Sequence, residues 1–210
     1  MILTTGCSFT YGEELPNPST QAWPHILSDK INTPVNNLGM NGASNDYIQR
    51  TTMEAVLQHK YDMVIVQWTE ISRVELHANI SVTLPPRYTN HTGTMQVSAN
   101  GIGRGVPSID DYYKNWWDEK FAFQKWIWQV IAMQNLLENH DVTYHMVNAF
   151  GNQQLIKKYD LAEYAYINTE RFIGWPGEGM VEWSYGTPNM PNGHPGPEGH
   201  KRIAEKIWPC

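Results

Sequence analysis

Apolar positions along the chain follow two alternating rhythms. Ile2-Leu3-Thr4-Thr5 is a short run rich in β-branched residues, which reads as a buried strand, and Gly6 stops it where the chain must bend. Thr33 to Leu38 predicts a second brief strand. Asp62 opens a third, Met63-Val64-Ile65-Val66, whose unbroken apolarity suits a strand covered on both faces, and Thr143 to Phe150 predicts a fourth. Between them the period lengthens. Trp23 to Leu27 begins a short helix with Pro24 in its first turn. Asn45 or Asp46 caps a helix that turns Ile48, Met53, Val56 and Leu57 toward the sheet. Asp118 to Asn139 is the strongest helical pattern, with Phe121, Trp128, Ile131 and Leu136 on its stripe. Trp116, Trp117, Trp126 and Trp128 read there as helix-to-sheet packing. Gln153 to Ala165 predicts a short helix, and Gly199 to Trp208 a closing one with Ile203, Ala204 and Ile207 on one face. Strands alternating with helices make an α/β fold: one domain over 1–210, a parallel central sheet, helices on both faces.

Two stretches break the rhythm. Ser72 to Trp117 holds Pro85-Pro86, Gly93, Gly101, Gly103, Gly105 and Pro107 with little periodicity, so a long loop insertion near 72–117 is expected. Such loops are either functional or disordered. Phe172 to Gly193, with Trp175 and Trp183, reads as a loop able to line a site.

Composition narrows the function classes. A formal charge of −6 argues against a nucleic-acid backbone as partner. No apolar run spans a bilayer, and the N-terminus reads as a strand rather than a signal peptide. The two cysteines, Cys7 and Cys210, are too few for a disulfide framework, so a reduced, cytoplasmic setting is expected. The histidines show no His-x-x-x-His spacing and no Cys-x-x-Cys is present, so no metal is expected. No Gly-x-Gly-x-x-Gly follows a strand, so no cofactor is expected either. Composition leaves the oligomeric state open.

Candidate chemistry sits at the chain's two ends. Ser8 follows the first strand, where an open α/β sheet presents its working groups. Alone, Gly6-Cys7-Ser8 reads first as a serine that merely caps a helix. At the other end stands Asn192-Gly193-His194-Pro195-Gly196, and His194 supplies the imidazole that a serine nucleophile requires. His145 lies within a strand and His200 on the closing helix; both read as structural.

Taken with Asn37-Leu38-Gly39-Met40-Asn41-Gly42-Ala43-Ser44-Asn45 and Asp62 to Gln67, these blocks follow one another in an order that resembles the SGNH (GDSL-like) hydrolase family across nearly the whole chain. The resemblance implies a flavodoxin-like SGNH hydrolase fold and a lipase/acylhydrolase-like serine esterase. It implies Ser8 as nucleophile, His194 as base, and the backbone N–H groups of Ser8 and Gly42 as oxyanion donors. The chain departs from the family at three places. Cys7 stands where aspartate is usual and reads as a small buried residue. The third block, Gln67-Trp68-Thr69-Glu70-Ile71-Ser72-Arg73, lacks the usual asparagine, leaving Gln67, Thr69 or Arg73 as substitutes. Asn192 occupies the neighbourhood of the usual aspartate, so either Asn192 orients His194, or Glu178 or Glu182 does, or activity has been lost.

The leading expectation is a serine ester hydrolase of esterase or O-deacetylase type. It would act on a small-molecule or carbohydrate ester through Ser8, His194, Asn192 and Gly42, with Gln67, Thr69, Arg73 and Trp183 facing substrate. The alternative is a weak or inactive scaffold that binds carbohydrate or serves assembly. A thiol hydrolase built on Cys7 ranks below both.

Overall fold

The computed structural model describes residues 1–77, 90–91, 94–103, 107–151 and 153–208. The prolines at 85 and 86, Gly93, Gly105 and Cys210 lie outside them. In chain order the elements are β1 (Ile2–Thr5), α1 (Ser8–Tyr11), α2 (Pro18–Gln21), α3 (Trp23–Ile31), β2 (Val35–Asn37), α4 (Asn45–Gln58) and β3 (Met63–Trp68). Next come β4 (Val74–His77), β5 (Asn90–His91), β6 (Thr94–Val97), α5 (Pro107–Asn115), α6 (Glu119–Asn139) and β7 (Thr143–Asn148). The chain closes with α7 (Gln153–Lys158), β8 (Phe172–Ile173), α8 (Met180–Trp183) and α9 (Pro197–Ile207).

The central sheet has the order β2-β1-β3-β7-β8, and every pairing in it is parallel. Its helices form two packed pairs, α3 with α9 and α4 with α6. β1 and β3 are buried along nearly their whole length, as strands covered on both faces must be. Thr52 on α4 donates to Thr5 Oγ1 at 2.8 Å, which satisfies a hydroxyl buried between helix and sheet. The fold is the α/β class expected from the alternation.

Several helix faces differ from the expectation. Ser44, not Asn45 or Asp46, caps α4: its Oγ accepts the Tyr47 N–H at 3.2 Å. The buried stripe of α4 is Ile48, Thr52, Ala55 and Val56, whereas Met53 and Leu57 face outward. On α6 the stripe is Phe123, Trp126, Ile127, Val130, Met133 and Leu137, and Phe121 and Trp128 are exposed. Trp116 is 75% exposed, so it packs no helix onto the sheet. In so aromatic a segment two stripes compete. Trp126, stacked on Phe123 and on Trp175, decides which one turns inward.

The stretch from Ser72 to Trp117 is not plain loop among its described residues. β4, β6 and β5 form a small antiparallel sheet, and α5 packs a second apolar cluster of Val74, Val97, Ile109 and Tyr113. The stretch from Phe172 contains β8 and α8, elements too short to show a period.

Candidate active site

The register of the sheet sets the site. Thr5 lies opposite Val66, so the chain leaves β1 and β3 side by side and residues 6–8 emerge next to residues 67–69. The contact there is close: a Cβ on Gly6 would stand 2.3 Å from Thr10 Oγ1 and 2.5 Å from Gln67 Oε1, so only glycine fits. Gln67 is fully buried. Its Oε1 accepts the Cys7 N–H and the Thr10 hydroxyl, both at 2.9 Å, and its Nε2 donates to the Trp68 carbonyl at 2.7 Å. Gln67 therefore holds the Ser8 loop against β3. It does not face substrate, contrary to the expectation from sequence, because all its hydrogen-bonding capacity on this side is taken up internally.

Ser8 is the first residue of α1, with Cys7 as its N-cap residue, and Cys7 is buried. Ser8 Oγ is 4.0 Å from Cys7 Sγ, and no hydrogen bond joins it to His194 among the described residues. The two residues are linked through Phe9, whose ring meets the imidazole edge-on with centroids 6.1 Å apart.

His194 sits in the turn between α8 and α9. Its Nδ1 lies 2.7 Å from Glu14 Oε2. The other carboxylate oxygen, Oε1, accepts the Asn192 backbone N–H at 3.1 Å and its side-chain Nδ2 at 2.7 Å. Glu14 is thus the residue that orients the imidazole, and Asn192 holds Glu14. The expectation that Asn192, Glu178 or Glu182 would do so is corrected. Glu178 accepts Trp183 Nε1, and Glu182 accepts the Gly179 N–H. Burial alone would raise the Glu14 carboxyl, but the hydrogen bonds from His194 and Asn192 outweigh it and hold the group below the usual carboxylate range. Glu14 has φ of +66°, a left-handed conformation unusual for glutamate. The signal in sequence was a carboxylate pair, Glu13-Glu14, directly after the serine block.

Among the described residues the N–H groups of Ser8 and Gly42 have no partner. Gly42 is exposed, with φ of +73°. Thr69 is buried; its N–H donates to Asn45 Oδ1 at 2.8 Å and its carbonyl accepts Asn45 Nδ2 at 3.1 Å, but its hydroxyl is unpartnered. Nε and Nη1 of Arg73 are likewise buried without a hydrogen-bond partner. Trp183 is 6% exposed and belongs to the core, so it offers no surface to a substrate. His200 is fully buried; its Nδ1 accepts the Trp23 N–H at 3.2 Å and ties α9 to α3. No group of His, Cys, Asp and Glu among the described residues is arranged to hold a metal ion, and no described helix is long and apolar enough to cross a membrane.

The chain belongs to the family described as "Family of unknown function (DUF6071)", whose model matches residues 14–207. No curated protein matches it in sequence. Among solved structures it is similar to a protein assigned to the lipolytic G-D-S-L family from Desulfitobacterium hafniense DCB-2. That likeness has a TM-score of 0.56 and 18% identity over 98% of this chain and 96% of that one. It is also similar to a family two carbohydrate esterase from Clostridium thermocellum, solved with cellohexaose, at TM-score 0.54 and 12% identity. An acetyl xylan esterase from Butyrivibrio proteoclasticus gives 0.53 and 12%. This chain is covered to 98% in both, but spans only 61% of their length.

Proposed function

We propose that the protein is a serine ester hydrolase in which Ser8 is the nucleophile, His194 the base and Glu14 the residue that orients the base. The observation that carries this reading is the contact between Glu14 and His194 Nδ1. It fixes the tautomer with the proton on Nδ1 and leaves Nε2 to accept a proton from serine. Ser8 Oγ attacks the acyl carbon, and its proton passes to His194 Nε2. The alkoxide then leaves with that proton, and water hydrolyses the acyl-enzyme by the same path. The unpartnered N–H groups of Ser8 and Gly42 suit the developing oxyanion, and the Thr69 hydroxyl is a third donor where the family's asparagine is missing. Catalytic hydrogen bonds are often open before substrate binds, which accommodates the separation of Ser8 from His194. The fold's likeness to carbohydrate esterases favours an acyl ester of a small polar alcohol or a sugar.

The experiment is hydrolysis of 4-nitrophenyl acetate together with fluorophosphonate labelling. Wild type is expected to turn over and to be labelled on Ser8; Ser8→Ala and His194→Ala lose both. Labelling on Cys7, or labelling undiminished in His194→Ala, overturns the assignment. Absence of any turnover and labelling in folded protein points instead to a binding scaffold.

A further inference from the structure

The turn after β3 carries a cation whose hydrogen bonds the described residues do not complete. The Arg73 side chain is 13% exposed, and its Nε and Nη1 have no hydrogen-bond partner among the described residues. The nearest carboxylate oxygen is Glu70 Oε2, 3.9 Å from Nε, beyond hydrogen-bond reach and on a side chain 42% exposed. The guanidinium carbon lies 5.6 Å from the centroid of the Phe150 ring. A buried charge left without hydrogen bonds is costly to fold, and a ligand that completes them recovers the cost on binding.

The position of this cation ties it to the Ser8 site. Phe150 packs on Phe9 with centroids 5.4 Å apart, and Phe9 meets His194. Arg73 also lines a cavity of about 110 Å³ with Asn45, Ile71, Tyr112, Trp117 and Asp118, whose Oδ1 accepts the Phe121 N–H. Asn45 is the same residue that clasps the Thr69 backbone. Trp117 Nε1, also buried, has no partner. Asp46 and Lys125 line this cavity too, but they are paired with each other at 2.5 Å, and Asp46 also accepts from Gln129 Nε2 and from the Glu75 N–H. Among the described residues, the buried groups left without a hydrogen-bond partner at the cavity, on Arg73 and Trp117, are therefore donors. Guanidinium cannot give up its proton, and an indole N–H only donates. Their complement is an acceptor-rich anion, and the guanidinium fork matches a carboxylate or phosphate with two parallel bonds. At about 30 Å³ per water, the space is equivalent to roughly four waters, enough for an acidic arm of a few atoms.

We propose that Arg73, assisted by Trp117, recognises an anionic oxygen group, a carboxylate or a phosphate, on the ester that the Ser8 site cleaves. The substrate is then an ester of an acidic compound. This rests on the esterase reading for the cleavage, whereas the anion site itself stands independently of it.

Two measurements test it. The first compares 4-nitrophenyl hemisuccinate with 4-nitrophenyl butyrate, which match in chain length and differ in the terminal carboxylate. Wild type is expected to favour the hemisuccinate by at least about tenfold in kcat/KM, carried by KM. Arg73→Gln brings that ratio to about one, and Arg73→Lys, which keeps charge but not the fork, retains part of it. The second is calorimetric titration of Ser8→Ala protein with succinate and with inorganic phosphate. The anion that binds identifies the group, and adding Arg73→Gln abolishes the binding. Thermal melting confirms folding of each variant, and Trp117→Phe provides a second variant that weakens binding without touching the charge. If no ester is cleaved yet an anion binds through Arg73, the esterase reading fails and this proposal stands. If neither anion binds, or binding survives Arg73→Gln, the proposal is overturned. It is also overturned if Arg73→Gln lowers kcat equally on both esters with KM unchanged, since Arg73 would then act on the oxyanion.

Discussion

Glu14 Oε2 and His194 Nδ1 lie 2.7 Å apart although 180 positions separate them in sequence. The carboxylate comes from the turn that follows the Ser8 helix, not from the loop that carries His194. The contact joins the two ends of the chain, and the imidazole meets a carboxylate despite the asparagine at 192. Glu14→Gln keeps the shape and removes the charge. Turnover is expected to fall by about 10²-fold or more, since an uncharged partner leaves the imidazolium unsupported and can select the wrong tautomer. Unchanged turnover in the folded variant, read in steady-state kinetics, would falsify the orienting role.

Asn192 provides a test of opposite sign to the one its place in the sequence suggests. Its N–H and its side-chain amide both donate to Glu14 Oε1. Asn192→Asp therefore sets two carboxylates against each other instead of restoring a missing acid. It is expected to reduce turnover by about tenfold, whereas Asn192→Ala does less harm. A gain of activity in Asn192→Asp, read in steady-state kinetics, would show that the aspartate has displaced Glu14 from the histidine.

The parallel sheet and the alternation of its strands and helices were legible because each rests on local pattern: apolar runs of strand length, helical stripes, glycine at bends. What escaped was long-range pairing. Nothing local distinguishes Glu14 from Glu13, and the left-handed backbone that aims Glu14 is set by tertiary contacts. Gln67 failed as a substrate contact for the same reason: a buried amide with three internal partners reads in sequence like a free polar side chain. The exposed side of α6 was misjudged because Phe121 and Trp128 are as apolar as the residues that face the core.

Gln67 yields a stability prediction. Gln67→Leu fills most of the same volume but leaves the Cys7 N–H and the Thr10 hydroxyl without their partner. At about 1–3 kcal/mol for each unsatisfied buried group, a loss of at least ~2 kcal/mol is expected in urea unfolding. The Ser8 loop should loosen with it, so fluorophosphonate labelling should slow in protein that is still folded. A variant as stable as wild type would mean that the loop is held by other contacts.

His200 makes stability depend on pH. Burial, and then the nearby His194, push its pKa from 6.5 down to about 4. Between those values the unfolded chain binds the proton more readily than the folded one, so stability rises with pH. The contribution is complete above pH 6.5 and is lost as pH falls toward 4. The full span is worth on the order of 3 kcal/mol, of which about 2 is gone at pH 5. His200→Asn retains an acceptor for the Trp23 N–H but does not titrate. It should be less stable than wild type at pH 7.5 by about 1–2 kcal/mol, because it fills less of the buried site. At pH 5 that gap should close or reverse, since the wild type has lost its share and the variant has not. Glu14 titrates alike in both proteins and cancels from the comparison. Urea midpoints at the two pH values settle the matter: two proteins whose stabilities fall in parallel between pH 7.5 and 5 would mean that His200 is not the group responsible.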